Sequence, residues 1–193
     1  MNVTVYCGSS MGDSPAFAEA ARKLGEWIAQ EGHSLVYGGS AVGLMGIVAG
    51  AALEGGAHVT GVEPRFFLES PIPQHELPTL IPVDTMSERK AKMIELGDAF
   101  VALPGGIGTL EEITEIISRI RLRLTTAPCI FLNINGFYDT FQAFFDELLA
   151  ARFVDAYEHD AIRFCPTVDD AIRELAGWHV DQDAHDHPNR YFA

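Results

Sequence analysis

The chain has 193 residues, 48% hydrophobic and 21% charged, enough for one domain with a substantial core. Its formal net charge of −14, with 13 Lys plus Arg against 27 Asp plus Glu, argues against nucleic acid as a partner, because phosphates need many cationic contacts. No apolar run reaches the ~20 residues that span a bilayer, and the opening MNVTVYCGSSMGDS lacks the cationic start and apolar core of a signal peptide.

Short β-rich runs alternate with helical patterns. Residues 3–7 read as a strand, after which Ser14 and Pro15 supply an N-cap and a first-turn proline for a helix that stops near Gly32. Residues 35–37 form the next strand, and GGSAVGLMG leads into a small-residue helix that ends at Gly55 and Gly56. A strand at 58–62 is followed by a proline-rich connection over 63–82, a helix at 87–96 and a strand at 99–103. The helix expected over 109–124 carries Leu110, Ile113, Ile116, Ile117, Ile120 and Leu124, a stripe that faces a sheet. A strand at 129–132 and a helix at 138–150 come next.

Residues 1–177 therefore read as a single domain, and 178–193 as a polar tail rather than a metal site built from His179, His185 and His187. His33 and His58 open strands and read as ordinary strand-edge residues. Cys7, Cys129 and Cys165 are odd in number and far apart, against a disulfide framework and against zinc. A cytoplasmic protein without a membrane partner is the expectation. The alternation of strands and helices predicts an α/β, Rossmann-like, three-layer fold with a mostly parallel central sheet and helices on both faces. Ligands in such sheets sit outside the carboxyl ends of the strands.

Three loops fall at that edge: CGSS from Cys7, YGGSAVGLMG from Tyr37, and PGGIGT from Pro104. Each offers backbone N–H groups without bulky side chains, suited to phosphate or sugar. None is a Walker A loop and none matches G-x-G-x-x-G. Of the three lysines, Lys23, Lys90 and Lys92, two stand beside these loops together with Arg89, in MSERKAKM. Glu112 has two readings. Thr109 and Glu112 fit a T-x-x-E capping box, Thr109 capping the helix and Glu112 reaching back; alternatively, Glu112 does chemistry beside a phosphate bound at the helix start.

GGSAVGLMG, SERK and PGGIGTLEE, in this order, resemble the LONELY GUY family of cytokinin-activating phosphoribohydrolases, long mislabelled as lysine decarboxylases. The resemblance runs from CGSS through the helix at 138–150. It implies hydrolysis of the N-glycosidic bond of a nucleoside 5′-monophosphate, a cytokinin riboside 5′-monophosphate or one like AMP, to free base and ribose 5-phosphate. It also implies a homodimer. The family's catalytic arginine and glutamate fall on Arg89 and Glu112, its lysine contact on Lys90, its glycine loop on Gly106 to Glu111, and a hydroxyl contact on Ser118. With the loop glycines included, the expected substrate-binding set is Gly39, Arg89, Lys90, Gly105, Gly106, Ile107, Gly108, Thr109, Leu110, Glu111, Glu112 and Ser118. Neither metal nor other cofactor is called for.

The chain departs from the family pattern at Ser87, where the family has His, at Ser40, where it has a third glycine, and at SRIRLRL, where it has W-A-Q-L-G. The chemistry fits independently of the resemblance. Cleaving a ribosyl C–N bond develops oxocarbenium character, which a carboxylate stabilises while it activates water. Glu112 is then expected both to cap the helix and to carry the reaction. Two rivals are a non-catalytic carrier or sensor of a nucleotide-like ligand on the same fold, and a decarboxylase. The latter needs pyridoxal phosphate on a lysine, and no lysine has a recognisable setting for it.

Overall fold

The computed structural model describes residues 1–69 and 76–178. Seven strands form one all-parallel sheet: β1 (Asn2–Tyr6), β2 (Ser34–Tyr37), β3 (His58–Pro64), β4 (Thr79–Val83), β5 (Ala99–Ala102), β6 (Cys129–Leu132) and β7 (Ile162–Cys165). The helices between them are α1 (Pro15–Gln30), α2 (Gly43–Glu54), α3 (Arg65–Leu68), α4 (Met86–Leu96), α5 (Ile107–Arg121), α6 (Asp139–Ala150), α7 (Ala156–Ala161) and α8 (Val168–Gly177). A single 3-10 turn, Ile134–Gly136, precedes α6. This is the expected Rossmann-like three-layer fold.

The period of two along each strand divides the core. Val3, Val5, Leu35, Tyr37, Val101 and Ile130 pack on one face against α1, α2 and α8. Tyr6, Val36, Phe100, Phe131 and Val62 pack on the other, against α4, α5 and α6. Both faces of the sheet are covered, and its central strands read as continuous apolar runs for that reason.

Strand order is β4-β3-β2-β1-β5-β6-β7, so the chain reverses direction across the sheet between β1 and β5. That switch point opens a crevice at the carboxyl ends of the strands. Three backbone bonds tie its loops together. Gly8 N–H donates to Pro104 C=O at 3.1 Å, and Leu44 N–H, at the start of α2, donates to Gly8 C=O at 3.1 Å and to Ser10 C=O at 3.4 Å.

Several expectations are corrected. The connection expected over 63–82 contains the end of β3, the short α3 and the whole of β4, on whose edge Pro82 is tolerated because an edge strand need not donate on both sides. Beyond residue 150, where no element was expected, α7, β7 and α8 complete the sheet; Asp155 and Thr167 cap the two helices by accepting from Glu158 N–H and Asp170 N–H. Ser14 caps α1 as expected, accepting from Ala16 N–H with Pro15 in the first turn. His58 does open β3, whereas His33 lies one residue before β2 and packs edge-on against Trp27. Among the described residues no helix is long and apolar enough to cross a membrane, and the cysteines are buried and free. The tail histidines, His179, His185 and His187, lie outside the described residues.

Candidate active site

The helix that begins after PGGIGT starts earlier than the capping box requires. The N-cap of α5 is Gly106, and Ile107 is its first residue. Thr109 is therefore the third helical position and buried, and Glu112 is the sixth, too far into the helix to reach an N-cap amide. The glycines allow this: Gly106 adopts an extended conformation with open space where a Cβ would stand, and the first turn of α5 lines the crevice. The capping reading of Thr109 and Glu112 is wrong. The N–H groups of Ile107, Gly108 and Thr109 lack intrahelical acceptors, as the first amides of any helix do, which is the kind of helix end that favours an anion.

Glu112 turns instead toward α4. Its Oε1 lies 3.7 Å from Arg89 Nη1, and the two side chains are only 10% and 11% exposed. Arg89 is held from behind: its Nε donates to the Val62 carbonyl on β3 at 3.1 Å, and its Nη1 is 3.9 Å from Met86 Sδ. A Cβ on Gly38 would meet the Arg89 guanidinium and the Met45 sulfur, so the bare backbone of the second glycine loop is what leaves room for the arginine. Burial raises the Glu112 carboxyl above the ordinary carboxylate range; Arg89 opposes this, Glu111 adds to it, and Lys90 opposes it more weakly.

These residues border a cleft of about 430 Å3 lined by Val5, Tyr6, Cys7, Gly8, Ser9, Gly38, Ser40, Val42, Met45, Glu63, Phe67, Met86, Arg89, Met93, Gly106, Ile107, Gly108, Thr109, Glu111 and Glu112. Of the expected set, the structure thus brings Arg89, Gly106, Ile107, Gly108, Thr109, Glu111 and Glu112 to one cavity. It leaves out Gly39, Lys90, Gly105, Leu110 and Ser118. Gly39 lies behind the wall, where its carbonyl accepts from Tyr37 Oη at 2.9 Å. Gly105 and Leu110 flank the lining residues on either side in the chain, and both are half-buried. Lys90 clamps α4 to α5 through Glu111 at 2.7 Å and Glu115 at 3.5 Å, and the hydrogen bond to Glu111 raises its ammonium. Ser118 donates to the Thr114 carbonyl on the solvent side of α5.

Three residues that sequence reasoning missed also face the cleft. Glu63 is 2% exposed, and its Oε2 finds no hydrogen-bond partner among the described residues. Tyr6 is likewise buried with an unpartnered hydroxyl, its phenol raised by burial and then by Glu112. Phe67, on α3, adds an aromatic wall. The signal for Glu63 was present: a lone charge at the carboxyl end of the apolar strand HVTGVEP.

The departures from the family pattern have definite places. Ser40 lines the cleft and its Oγ accepts from Val42 N–H at 3.4 Å, while Ser87 is exposed in the first turn of α4. In SRIRLRL, Arg121 donates to Phe153 C=O at 2.8 Å, and Arg123 sits 3.0 Å over the Tyr157 ring, so these residues build the contact with α7 and the turn before it.

A model of the family described as "Possible lysine decarboxylase" matches residues 45–175. A probable cytokinin riboside 5′-monophosphate phosphoribohydrolase of Oryza sativa subsp. japonica is 42% identical over 173 residues, covering 90% of this chain and 70% of the relative. The chain belongs to the LONELY GUY family. A second member, a cytokinin riboside 5′-monophosphate phosphoribohydrolase of Arabidopsis thaliana, is 37% identical over 181 residues, covering 94% of this chain and 83% of its own. Among solved structures, a Moco carrier protein from Chlamydomonas reinhardtii shares the fold with a TM-score of 0.69 at 21% identity, covering 91% of this chain and 94% of that one. The decarboxylase description of the family finds no support in the LONELY GUY cleft seen here. No lysine lines it, and all three are engaged elsewhere: Lys23 with Asp169, Lys90 with Glu111, and Lys92 with Glu95.

Proposed function

We propose that this chain is a phosphoribohydrolase that cleaves the N-glycosidic bond of a nucleoside 5′-monophosphate to free base and ribose 5-phosphate. The observation that carries this reading is the buried Arg89–Glu112 pair on the cleft that the first turn of α5 also lines. The amides of Ile107, Gly108 and Thr109 hold the 5′-phosphate, where hydrogen-bond donors and the positive end of the helix dipole coincide. Anchored there, the ribose presents C1′ toward Glu112. The carboxylate stabilises the oxocarbenium-like centre and takes a proton from the attacking water, and its raised pKa makes it the stronger base. Arg89 keeps Glu112 ionised and in place. Neither metal nor cofactor has a role in these steps.

The phosphate anchor is tested with a nucleotide and its own nucleoside. AMP should release free base at least about 100-fold faster than adenosine under the same conditions, because binding energy from the phosphate orients the reacting carbon. Equal rates on the two would reject the anchor. A protein that binds AMP and returns it intact would be a carrier rather than an enzyme.

The same reading places the protein in the cytoplasm, in keeping with its free, buried cysteines; cell fractionation tests that placement. It also makes the protein a homodimer. The apolar stripe of α5 is taken up by the core through Ile113, Ile116, Ile117 and Ile120 and is not free for such an interface. Just past the helix an apolar group is exposed, Leu122 and Leu124, with Phe153 nearby at 70% exposure. Light scattering at micromolar concentration should give twice the 21.1 kDa chain mass, and a species of one chain mass would reject the dimer.

A further inference from the structure

The cleft contains a second buried carboxyl that the hydrolytic steps above do not use. Glu63 closes β3 at the carboxyl edge of the sheet, 2% exposed, with Oε2 unpartnered among the described residues. A buried carboxyl without a hydrogen bond is unfavourable for folding and asks for an explanation. Gly39, at φ +92°, supplies part of the local one, since a Cβ there would come within 3.0 Å of the Glu63 carboxyl. The chain has left room for this acid, and among the described residues Oε2 has no hydrogen-bond partner.

Its place along the cleft says what it can meet. The start of α5, proposed above to hold the phosphate, stands after β5, and Glu63 stands next to last in β3; with β2 and β1 between the two strands, three interstrand steps of about 4.8 Å separate them. Arg89 and Glu112 lie between, Arg89 being bonded to Val62, the neighbour of Glu63. With phosphate at one end and the reacting carbon beside Glu112, the base occupies the end walled by Glu63, Ser40, Met45 and Phe67. Phe67 offers a ring against which a base can lie, and Glu63 is the only carboxyl lining that end among the described residues. Tyr6, the other unpartnered group lining the cleft, belongs to β1 and lies on the Glu112 side.

We infer that Glu63 is the general acid of the reaction, giving its proton to a ring nitrogen of the departing base. This rests on the phosphoribohydrolase reading. As the C1′–N bond breaks, its electron pair goes to the base and the Glu63 proton goes to a ring nitrogen, so the base leaves neutral. The water oxygen bonds to C1′, and its proton goes to the Glu112 carboxylate. Solvent then returns Glu112 to its ionised form and Glu63 to its acid form, and one water has been consumed. The environment supports the protonated state: burial raises the Glu63 carboxyl, with Arg89 of α4 acting against it, while Tyr37 of β2, itself raised by burial and by Glu63, offers no positive charge. Two carboxyls with different surroundings, one beside a guanidinium and one without a bonded partner, divide the base and acid roles between them.

Glu63→Gln keeps the shape and a donor but has no proton to give. With AMP as substrate, kcat/KM should fall about 100-fold near neutral pH, and the loss should reside in kcat. Wild-type kcat/KM should decline on the alkaline side as Glu63 ionises, and the variant should lack that limb. Ribose 5-phosphate, which has no base, should bind both proteins equally in calorimetry, showing that the fold and the phosphate end are intact. Turnover within a few-fold of wild type with the same alkaline limb, or a loss confined to KM, would overturn the acid role and leave the hydrolase reading standing. A wild-type protein that binds ribose 5-phosphate yet releases base from no nucleotide would overturn both.

Discussion

Glu112→Gln is expected to keep the fold and lose at least about two orders of magnitude in base release, the range for removal of a general base. Helix capping gives no reason for Glu112 to be a carboxylate, since Gly106 is the N-cap and Glu112 stands at the sixth helical position. Glutamine fills the same volume and presents no charge to a site that is 10% exposed. The sign of the pH effect follows from burial. A carboxyl raised in the folded state contributes its stability fully below its ordinary range and loses it as pH rises through the folded value. The melting temperature of Glu112→Gln should therefore equal or exceed that of wild type at neutral pH, with the gap widening toward alkaline pH. Glu111, 58% exposed and paired with Lys90, should matter much less when changed to glutamine. Melting and base release are measured on one Glu112→Gln preparation, and turnover within tenfold of wild type would remove Glu112 from the chemistry.

The central sheet was legible because its strands, buried on both faces, are continuous apolar runs bounded by glycine loops. HSLVYGG and DAFVALPGG announce both a strand and the loop after it. The strand β4 was not legible: TLIPV contains a proline and alternates half-buried with exposed residues, so its identity as a strand comes from pairing with β3. The capping box misled for a related reason. T-x-x-E is a local pattern, and Gly105 and Gly106 let the helix start three residues sooner than that pattern implies. Arg89 and Glu112 could be singled out by motif, but their approach depends on α4 and α5 crossing the same sheet edge, which no spacing in the chain expresses. Glu63 had a plain signal, a charge at the end of an apolar strand, and it gained meaning only when the structure left its carboxyl buried and unpartnered.

Arg89→Ala should reduce base release by a factor on the order of 10²–10³, the usual effect of deleting one preorganised electrostatic group. Its effect on stability should depend on pH in a way that a simple packing loss does not. Arg89 is the main group that opposes burial at both buried carboxyls of the cleft, Glu112 and Glu63. Without it their folded pKa values rise further, and each escapes by keeping its proton. Breaking a buried ion pair costs roughly 3–5 kcal/mol when the remaining charge stays buried, and less when that charge can be neutralised. The sign is again that of a raised carboxyl: stability is retained at low pH and lost as pH rises through the folded value. The melting deficit of Arg89→Ala relative to wild type should therefore be small at about pH 5 and larger at about pH 8. Arg89→Lys should recover part of the stability and little of the activity. A lysine ammonium cannot reproduce a fork whose Nε is bonded to the Val62 carbonyl while Nη1 faces Glu112. A melting deficit that is the same at both pH values, or an Arg89→Lys enzyme as fast as wild type, would show that the guanidinium is packing in the wall of the cleft and not the group that sets the charge of its carboxyls.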